Sequence, residues 1–311
     1  MSTKANLLDA IGHTPLVELT RFSPKPEVRL FAKLEGQNPT GSLKDRIAKY
    51  MIEEAEASGR LTRDQIIIEA TTGNTGIALA MVGRQKGYKV QVVMPENVIP
   101  EIRLLLEAYG AEVIWVASTL GTKGAIERVE QLAADEKYFA PRQFANHINA
   151  LAHYETTGVE ILEDLPVVDV FLAGLGTGGT VMGVGKRLKE SCPQARIIAI
   201  EPHPDSLVHG LRSLEEGFIP PILDLTKLDG KFVVTSRDAF LATRALTEVE
   251  GIFAGISSGA VLHCALRVAR RIKRGNIVML FADGGWKYLS TGLWTKDIAT
   301  LERDIEDKIW W

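Results

Sequence analysis

The sequence predicts an α/β protein: two open, twisted, mostly parallel sheets flanked by helices, with a functional cleft between the two units. Three observations carry that expectation. Short apolar runs alternate with segments of helical period, the rhythm of parallel sheets covered by helices on both faces. The rhythm runs in two series, one over residues 65–135 and one over residues 168–281. Glycine-bearing turns join strand to helix within each series, and neither an internal repeat nor a low-complexity linker stands out.

The elements follow in order. Leu43, Ile47, Met51 and Ile52 recur at helical spacing and Gly59 suits the stop, so a helix starts beside Lys44. Ser42 with Asp45 three residues on has the form of a capping box at its start. Residues 65–69 read as a strand, 77–85 as a helix and 88–94 as the next strand. Pro100 opens a helix at its first position and Gly110 closes it. Residues 111–117 read as a strand and 122–135 as a helix. The second series runs strand 168–173, helix 180–190, strand 196–200, helix 260–272 and strand 277–281.

Composition bounds the function. A chain of 311 residues with 46% hydrophobic and 24% charged residues builds one large or two ordinary soluble domains. A net charge of −3 gives no electrostatic case for nucleic acid or an anionic membrane. No apolar run approaches the ~20 residues of a spanning helix, and the polar start lacks a signal-peptide core, so a cytoplasmic protein is expected. Cys192 and Cys264 read as reduced thiols, and neither they nor the six scattered histidines have metal-ligand spacing, so no metal is expected.

Four segments carry candidate chemistry. In Asn38-Pro39-Thr40-Gly41-Ser42-Leu43-Lys44-Asp45-Arg46 a turn and a cap converge on one amine. Lys44 falls in the first helical turn, where the dipole disfavours a cation; with partial desolvation its pKa should drop and leave a neutral nucleophile. An isolated Ser-x-Lys would be a surface lysine. Gly174-Leu175-Gly176-Thr177-Gly178-Gly179-Thr180 lies between strand and helix and aims backbone N–H groups at a phosphate. It also fits the dinucleotide fingerprint at Gly174, Gly176 and Gly179, with Glu201 near the place of a ribose-binding acid, so an NAD-linked oxidoreductase competes. Such a reading leaves Lys44 and the other turns unexplained. Thr71-Thr72-Gly73-Asn74-Thr75-Gly76 is either a receptor for a carboxylate or an ordinary N-cap cluster. Gly255-Ile256-Ser257-Ser258-Gly259 opens a helix and on its own passes as a serine cap.

The segment from Asn38 to Arg46 resembles the pyridoxal-phosphate lysine motif of the cysteine synthase group, within the tryptophan-synthase-β-like (fold type II) enzymes. The likeness runs from His13-Thr14-Pro15-Leu16 to Tyr288-Leu289-Ser290-Thr291-Gly292 and is nearest to the B-type cysteine synthases, including O-phosphoserine sulfhydrylases. It implies pyridoxal 5'-phosphate held by Lys44, with the cofactor phosphate on Gly176, Thr177, Gly178, Gly179 and Thr180. Asn74 would meet the cofactor 3'-oxygen, and Ser257 the pyridine nitrogen. Some relatives place the latter serine in the loop matching Asp283-Gly284-Gly285-Trp286; Gly284 removes that option, while Asp283 remains able to approach the ring. Thr71, Thr72, Asn74, Thr75 and Gln143 would bind the substrate carboxylate, Thr72 standing where the usual form has serine.

The implied reaction is a β-replacement through an aminoacrylate, with Lys44 as general base, that turns O-phosphoserine or O-acetylserine into L-cysteine. Arg212 matches an arginine suited to a substrate phosphate, yet acetylserine-using relatives carry one too. The Asp283–Tyr288 segment leans towards phosphoserine. Free sulfide, thiosulfate and a thiocarboxylated sulfur-carrier protein all stand as sulfur donors. The resemblance further implies a homodimer, a smaller mobile domain over residues 44–144, and a larger one from residues 1–43 and 145–311. Cystathionine β-synthase cores and dehydratases are the nearest rivals within this class. Trp310 and Trp311 are expected to dock on the chain's own core or a dimer interface, or else to fold over the cleft.

Overall fold

The computed structural model describes residues 3–306, so Trp310 and Trp311 lie outside the described residues. The chain begins with β1 (Leu16–Glu18), β2 (Val28–Leu34) and α1 (Lys44–Ala57). It continues through β3 (Ile66–Ala70), α2 (Asn74–Lys86), β4 (Val90–Pro95), α3 (Pro100–Ala108), β5 (Glu112–Val116), α4 (Gly121–Leu132) and β6 (Tyr138–Phe139). Next come α5 (Ile148–Ala152), a π-helical turn His153–Thr157, α6 (Gly158–Asp164), β7 (Val170–Gly174), α7 (Gly179–Ser191) and β8 (Arg196–Pro202). Last are β9 (Gly230–Val234), α8 (Ser236–Glu250), α9 (Ile256–Arg271), β10 (Gly275–Phe281) and α10 (Ile298–Glu306).

Two sheets result. The larger has the order β1-β2-β10-β7-β8-β9, parallel except for β1. The smaller, β5-β4-β3-β6, is parallel throughout. β10 lies between β2 and β7, and its Ile277, Val278 and Met279 are all fully buried. Both its faces are covered, which is why it reads as an unbroken apolar run instead of an alternating one. Each such side chain contributes roughly 1.5–3 kcal/mol on burial.

Helices cover both faces of each sheet. On the larger, α8 and α9 bring Leu246, Val261 and Ala265 to one face, and α6 and α7 bring Ile161, Val184 and Leu188 to the other. On the smaller, α2 and α3 bring Leu79, Val82, Ile102 and Leu106 to one face, and α4 brings Ala125 and Val129 to the other. α1 packs on α2 and also on α5, so it touches helices attached to both sheets.

Charge also holds the base of α1. The buried Arg46 guanidinium donates to Glu35 through Nε (2.7 Å) and Nη2 (2.9 Å), and to Glu160 through Nη1 (2.6 Å) and Nη2 (2.7 Å). Nη2 also reaches Thr14 Oγ1 at 3.2 Å, and Lys33 Nζ lies 2.8 Å from Glu160. Two cations and two carboxylates are thus enclosed together, tying the N-terminal arm, β2, α1 and α6. Burial alone would raise the Glu160 carboxyl, but Arg46 and then Lys33 outweigh it and hold it at about 2.

Candidate active site

The start of α1 differs from a capping box. Asp45 does not turn back to Ser42; its carboxylate accepts from the Thr40 backbone N–H at 2.7 Å and from the Thr40 hydroxyl. Ser42 Oγ instead accepts from the Lys44 N–H at 3.3 Å. Asp45 thereby closes the Thr40–Gly41 turn, and burial pushes its carboxyl up to about 6. The segment before Lys44 is also stitched to the end of β10: the Leu43 N–H donates to Ala282 O (2.9 Å) and the Gly284 N–H to Gly41 O (3.2 Å). Gly255 N–H donates to Asp283 O (3.0 Å), which adds the start of α9 to the same strap.

Lys44 is half-buried at the first position of α1. Desolvation lowers its pKa to about 8, and the carboxylate of Asp283 opposes the shift. Burial, then, outdoes the neighbouring charge. On the other side the Lys44 amine lies within electrostatic reach of the fully buried His153, whose pKa falls well below the ordinary value through burial and then through Lys44 and Arg46.

Asp283 and His153, the two groups that feel this amine, touch the starts of three helices: Asp283 those of α2 and α9, and His153 that of α7. α2, α7 and α9 have Gly73, Gly178 and Gly255 at the N-cap, with no side-chain cap hydrogen bond at any of them. Hydroxyl or amide side chains stand in each turn, and apart from Thr177, which accepts the Gly179 N–H, none caps the helix it precedes. The remaining first-turn N–H groups and the positive ends of the helices suit an anion.

The Gly176–Thr180 loop is built closely. Gly178 has φ of +88°, a left-handed conformation that favours glycine. A Cβ on Gly179 would lie 1.9 Å from Asn149 Oδ1. Thr177 Oγ1 accepts from Asn149 Nδ2 (3.0 Å) and from the Gly179 N–H (3.3 Å). Thr180 Oγ1 lies 3.3 Å from His153 Nε2, while His153 Nδ1 meets Thr157 Oγ1 at 3.0 Å. Two hydroxyls are therefore held in place at the mouth of α7 by residues of α5 and its π-turn extension.

The carboxylate-receptor candidates also meet. Thr75 Oγ1 donates to Gln143 Oε1 (2.7 Å), Gln143 Nε2 donates to Ala70 O (2.9 Å), and Asn149 Nδ2 donates to Gln143 O (2.8 Å). Thr71 Oγ1 accepts from the Gly73 N–H at 3.1 Å, and Thr72 is exposed. Beneath this loop the buried Glu69 accepts from the Gln143 N–H at 3.0 Å, and burial raises its carboxyl to about 7. Asn149 thus joins the Thr75–Gln143 pair to the Thr177 hydroxyl. Arg212 stands close by, its guanidinium 5.4 Å from the ring of Phe144 and 5.2 Å from that of Phe218.

Asn74, after β3 of the smaller sheet, reaches across to the larger one: its Nδ2 donates to Asp283 Oδ2 at 2.7 Å. Tyr288 OH donates to the same oxygen at 2.6 Å, and Lys287 Nζ donates to Asn74 Oδ1 at 2.5 Å. Asp283 is consequently turned towards Asn74. Ser257 occupies the second position of α9 and stays the candidate partner for a ring nitrogen. Sequence reasoning missed Asn149, His153, Lys287 and Tyr288. Asn149 and His153 stand four residues apart, yet nothing in the sequence says which loop they face.

The residues fit pyridoxal phosphate. An amine with a lowered pKa, an uncapped helix start with two positioned hydroxyls, and buried polar atoms left without partners (Asn149 Oδ1, Ser258 Oγ and Asp283 Oδ1) converge here. The dinucleotide alternative fits worse. Glu201 is buried, accepts the Leu214 N–H at 2.9 Å and pairs with Lys231, so it is not free to bind a ribose.

Comparison with known proteins agrees. The chain is 42% identical over 302 residues to the cysteine synthase of Staphylococcus aureus (strain Mu50 / ATCC 700699), an alignment covering 94% of this chain and 97% of that protein. Among solved structures it resembles a hydrogen sulfide-producing enzyme from Fusobacterium nucleatum at 42% identity and a TM-score of 0.88, covering 92% of this chain and 100% of that one. It also resembles a cysteine synthase from Entamoeba histolytica at 35% identity and a TM-score of 0.89, covering 99% and 97%. The profile of the family described as pyridoxal-phosphate dependent enzymes matches residues 7–283, and the chain belongs to that family.

Proposed function

We propose that this protein is a cysteine synthase, replacing the β-substituent of O-phosphoserine or O-acetylserine with sulfur to give L-cysteine. The carrying observation is the half-buried Lys44 amine, its pKa lowered to about 8 by burial, within reach of Asp283 and His153, the residues that touch the starts of α2, α9 and α7. When bound, pyridoxal phosphate supplies the aldehyde that captures amines and the electron-withdrawing ring that acidifies a substrate α-proton.

The chain's own residues do the rest. Gly176, Thr177, Gly178, Gly179 and Thr180 hold the phosphate with backbone N–H groups and two hydroxyls. Ser257 would offer the ring nitrogen a neutral hydroxyl, which would leave the ring a weaker electron sink and favour β-elimination over transamination. Asn74 faces the 3'-oxygen. Thr71, Thr72, Asn74, Thr75 and Gln143 receive the substrate carboxylate; Gln143 offers its second Nε2 hydrogen, the first being bonded to Ala70. Lys44 takes the α-proton and later returns it; a pKa near 8 keeps a useful neutral fraction at neutral pH. Arg212, set against two aromatic rings, is the group able to grip a phosphate leaving group. We take residues 44–144 as the smaller unit, which closes on the larger one (1–43 and 145–311) when substrate binds.

We also propose a cytoplasmic homodimer. The free Cys192 and Cys264 suit a reducing compartment, and Phe253, Trp286 and Leu289 leave apolar surface for a second copy. Sulfide or a thiocarboxylated carrier protein would donate the sulfur.

The test is twofold. Borohydride reduction of the cofactor-loaded protein should fix the cofactor to Lys44, read by peptide mass spectrometry. O-phosphoserine and O-acetylserine should each be assayed with sulfide for cysteine, on wild type and Arg212→Ala. A colourless protein unlabelled at Lys44 would overturn the reading. Equal effects of Arg212→Ala on both substrates would remove its phosphate role.

A further inference from the structure

Lys287 is an unusual residue for its place. It is 0% exposed and stands four positions after Asp283, in the turn that follows β10. A buried ammonium is costly unless its donors are used. Its Nζ donates to Asn74 Oδ1 (2.5 Å) and to Gly41 O (3.3 Å), and the carboxylates of Asp283 and Asp45 stand within electrostatic reach.

These contacts decide how the Asn74 amide points. An ammonium only donates, so the amide oxygen must face Lys287; a carboxylate only accepts, so the amide nitrogen must face Asp283. The amide is pinned from both ends, with one Nδ2 hydrogen left over. Both pinning groups sit on the segment after β10 of the larger sheet, whereas Asn74 opens α2 on the smaller one. Gly41 O, the other acceptor, lies three residues before Lys44 and also accepts from the Gly284 N–H.

We propose that Lys287 is a positioning residue that fixes the amide of Asn74, and with it the 71–76 loop, on the larger unit. This rests on the reading above that Asn74 and its loop receive the substrate. Without the cation the amide oxygen loses its donor, and of the two side chains that pin the amide to the larger unit only Asp283 remains. The role is distinct from chemistry, since the hydrogen bonds of Lys287 go to Asn74 and the Gly41 carbonyl, and its ammonium otherwise lies over the ring of Trp286.

The experiment uses Lys287→Met, which keeps length and removes the charge, with Lys287→Gln alongside so that failure of one variant to fold leaves the comparison standing. Hydrogen–deuterium exchange on the cofactor-free full chain should show residues 71–76 exchanging at least about fivefold faster, with residues 196–202 of β8 unchanged. In loaded protein the KM for the amino-acid substrate should rise about tenfold while kcat stays within about threefold, and Lys287→Arg should recover most of the loss. In an Asn74→Ala background, Lys287→Met should add less than about twofold. Unchanged exchange at 71–76, or full additivity of the two substitutions, would overturn the proposal. Should wild type make no cysteine while the exchange result holds, the functional reading fails and the positioning role stands.

Discussion

Replacing Arg46 by methionine should destabilise this protein severely without touching a reacting atom. Arg46, Lys33, Glu35 and Glu160 form a neutral set of two positive and two negative groups, all buried or nearly so. Arg46→Met removes one positive group and the five donor contacts it makes, and leaves two enclosed carboxylates facing a single ammonium. Breaking a buried ion pair from one side costs roughly 3–5 kcal/mol, because the remaining charge is uncompensated. Against a total stability of about 5–15 kcal/mol this is a large fraction. At about 2 °C per kcal/mol for a chain of this size, the melting temperature should fall by roughly 6–10 °C. Calorimetry and urea titration at pH 7 measure it. Arg46→Met combined with Glu160→Gln restores charge balance between Lys33 and Glu35, so the double variant should be more stable than Arg46→Met alone. Should Arg46→Met lie within about 1 kcal/mol of wild type, or the double variant be worse, the uncompensated-charge reasoning is wrong.

Three further outcomes are expected. In cofactor-free protein, labelling of Lys44 by an amine reagent should rise with pH around a midpoint of about 8, against ~10.4 for ordinary lysines, and Asp283→Asn should lower that midpoint further; a midpoint above about 10 contradicts the burial argument. Gly179→Ala drives a methyl group into Asn149, whose bonds to Thr177 and Gln143 are worth about 1 kcal/mol each, so cofactor affinity by absorbance titration should fall about 30-fold; no change would sink the preset-cup idea. Glu69 has its folded pKa raised from 4.5 to about 7, so the folded state holds the proton longer than the unfolded chain. Its contribution to stability therefore declines as pH rises from about 4.5 to about 7, and Glu69→Gln should flatten the pH dependence of melting in that window, whereas an unaltered slope assigns it elsewhere.

Much of this architecture was legible in the sequence, for identifiable reasons. The strands of the inner sheets are apolar on both faces, and the turns after β3 and β7 combine glycine with hydroxyl residues, so periodicity and turn chemistry both mark them. Helices α2 and α9 begin three and four residues earlier than periodicity suggests, because Asn74, Thr75, Ser257 and Ser258 are polar first-turn residues that face the site. β2, β9 and α8 escaped the reading, as did the membership of β2 in the later sheet: pairing between residues 28–34 and 275–281 is a property of topology, which no local pattern encodes. The site divides in the same way. Lys44, Asn74, Thr75 and the 176–180 loop stand in motifs, while Asn149, His153 and Lys287 act by spatial proximity to those motifs across 27 residues or more. Asp45 shows the converse, a motif whose form misleads, since Thr40 outcompetes Ser42 for its carboxylate.

The central place of β10 has a consequence for biosynthesis. The partner that seats Leu43, immediately ahead of the reactive amine, is Ala282, far along the chain. A nascent polypeptide emerging from the ribosome is able to form the smaller sheet early, yet β2 must wait beside an empty slot until the last strand slides in next to β7. Capture of the vitamin-derived aldehyde is thus a late event in folding, and products truncated before residue 275 should remain uncoloured.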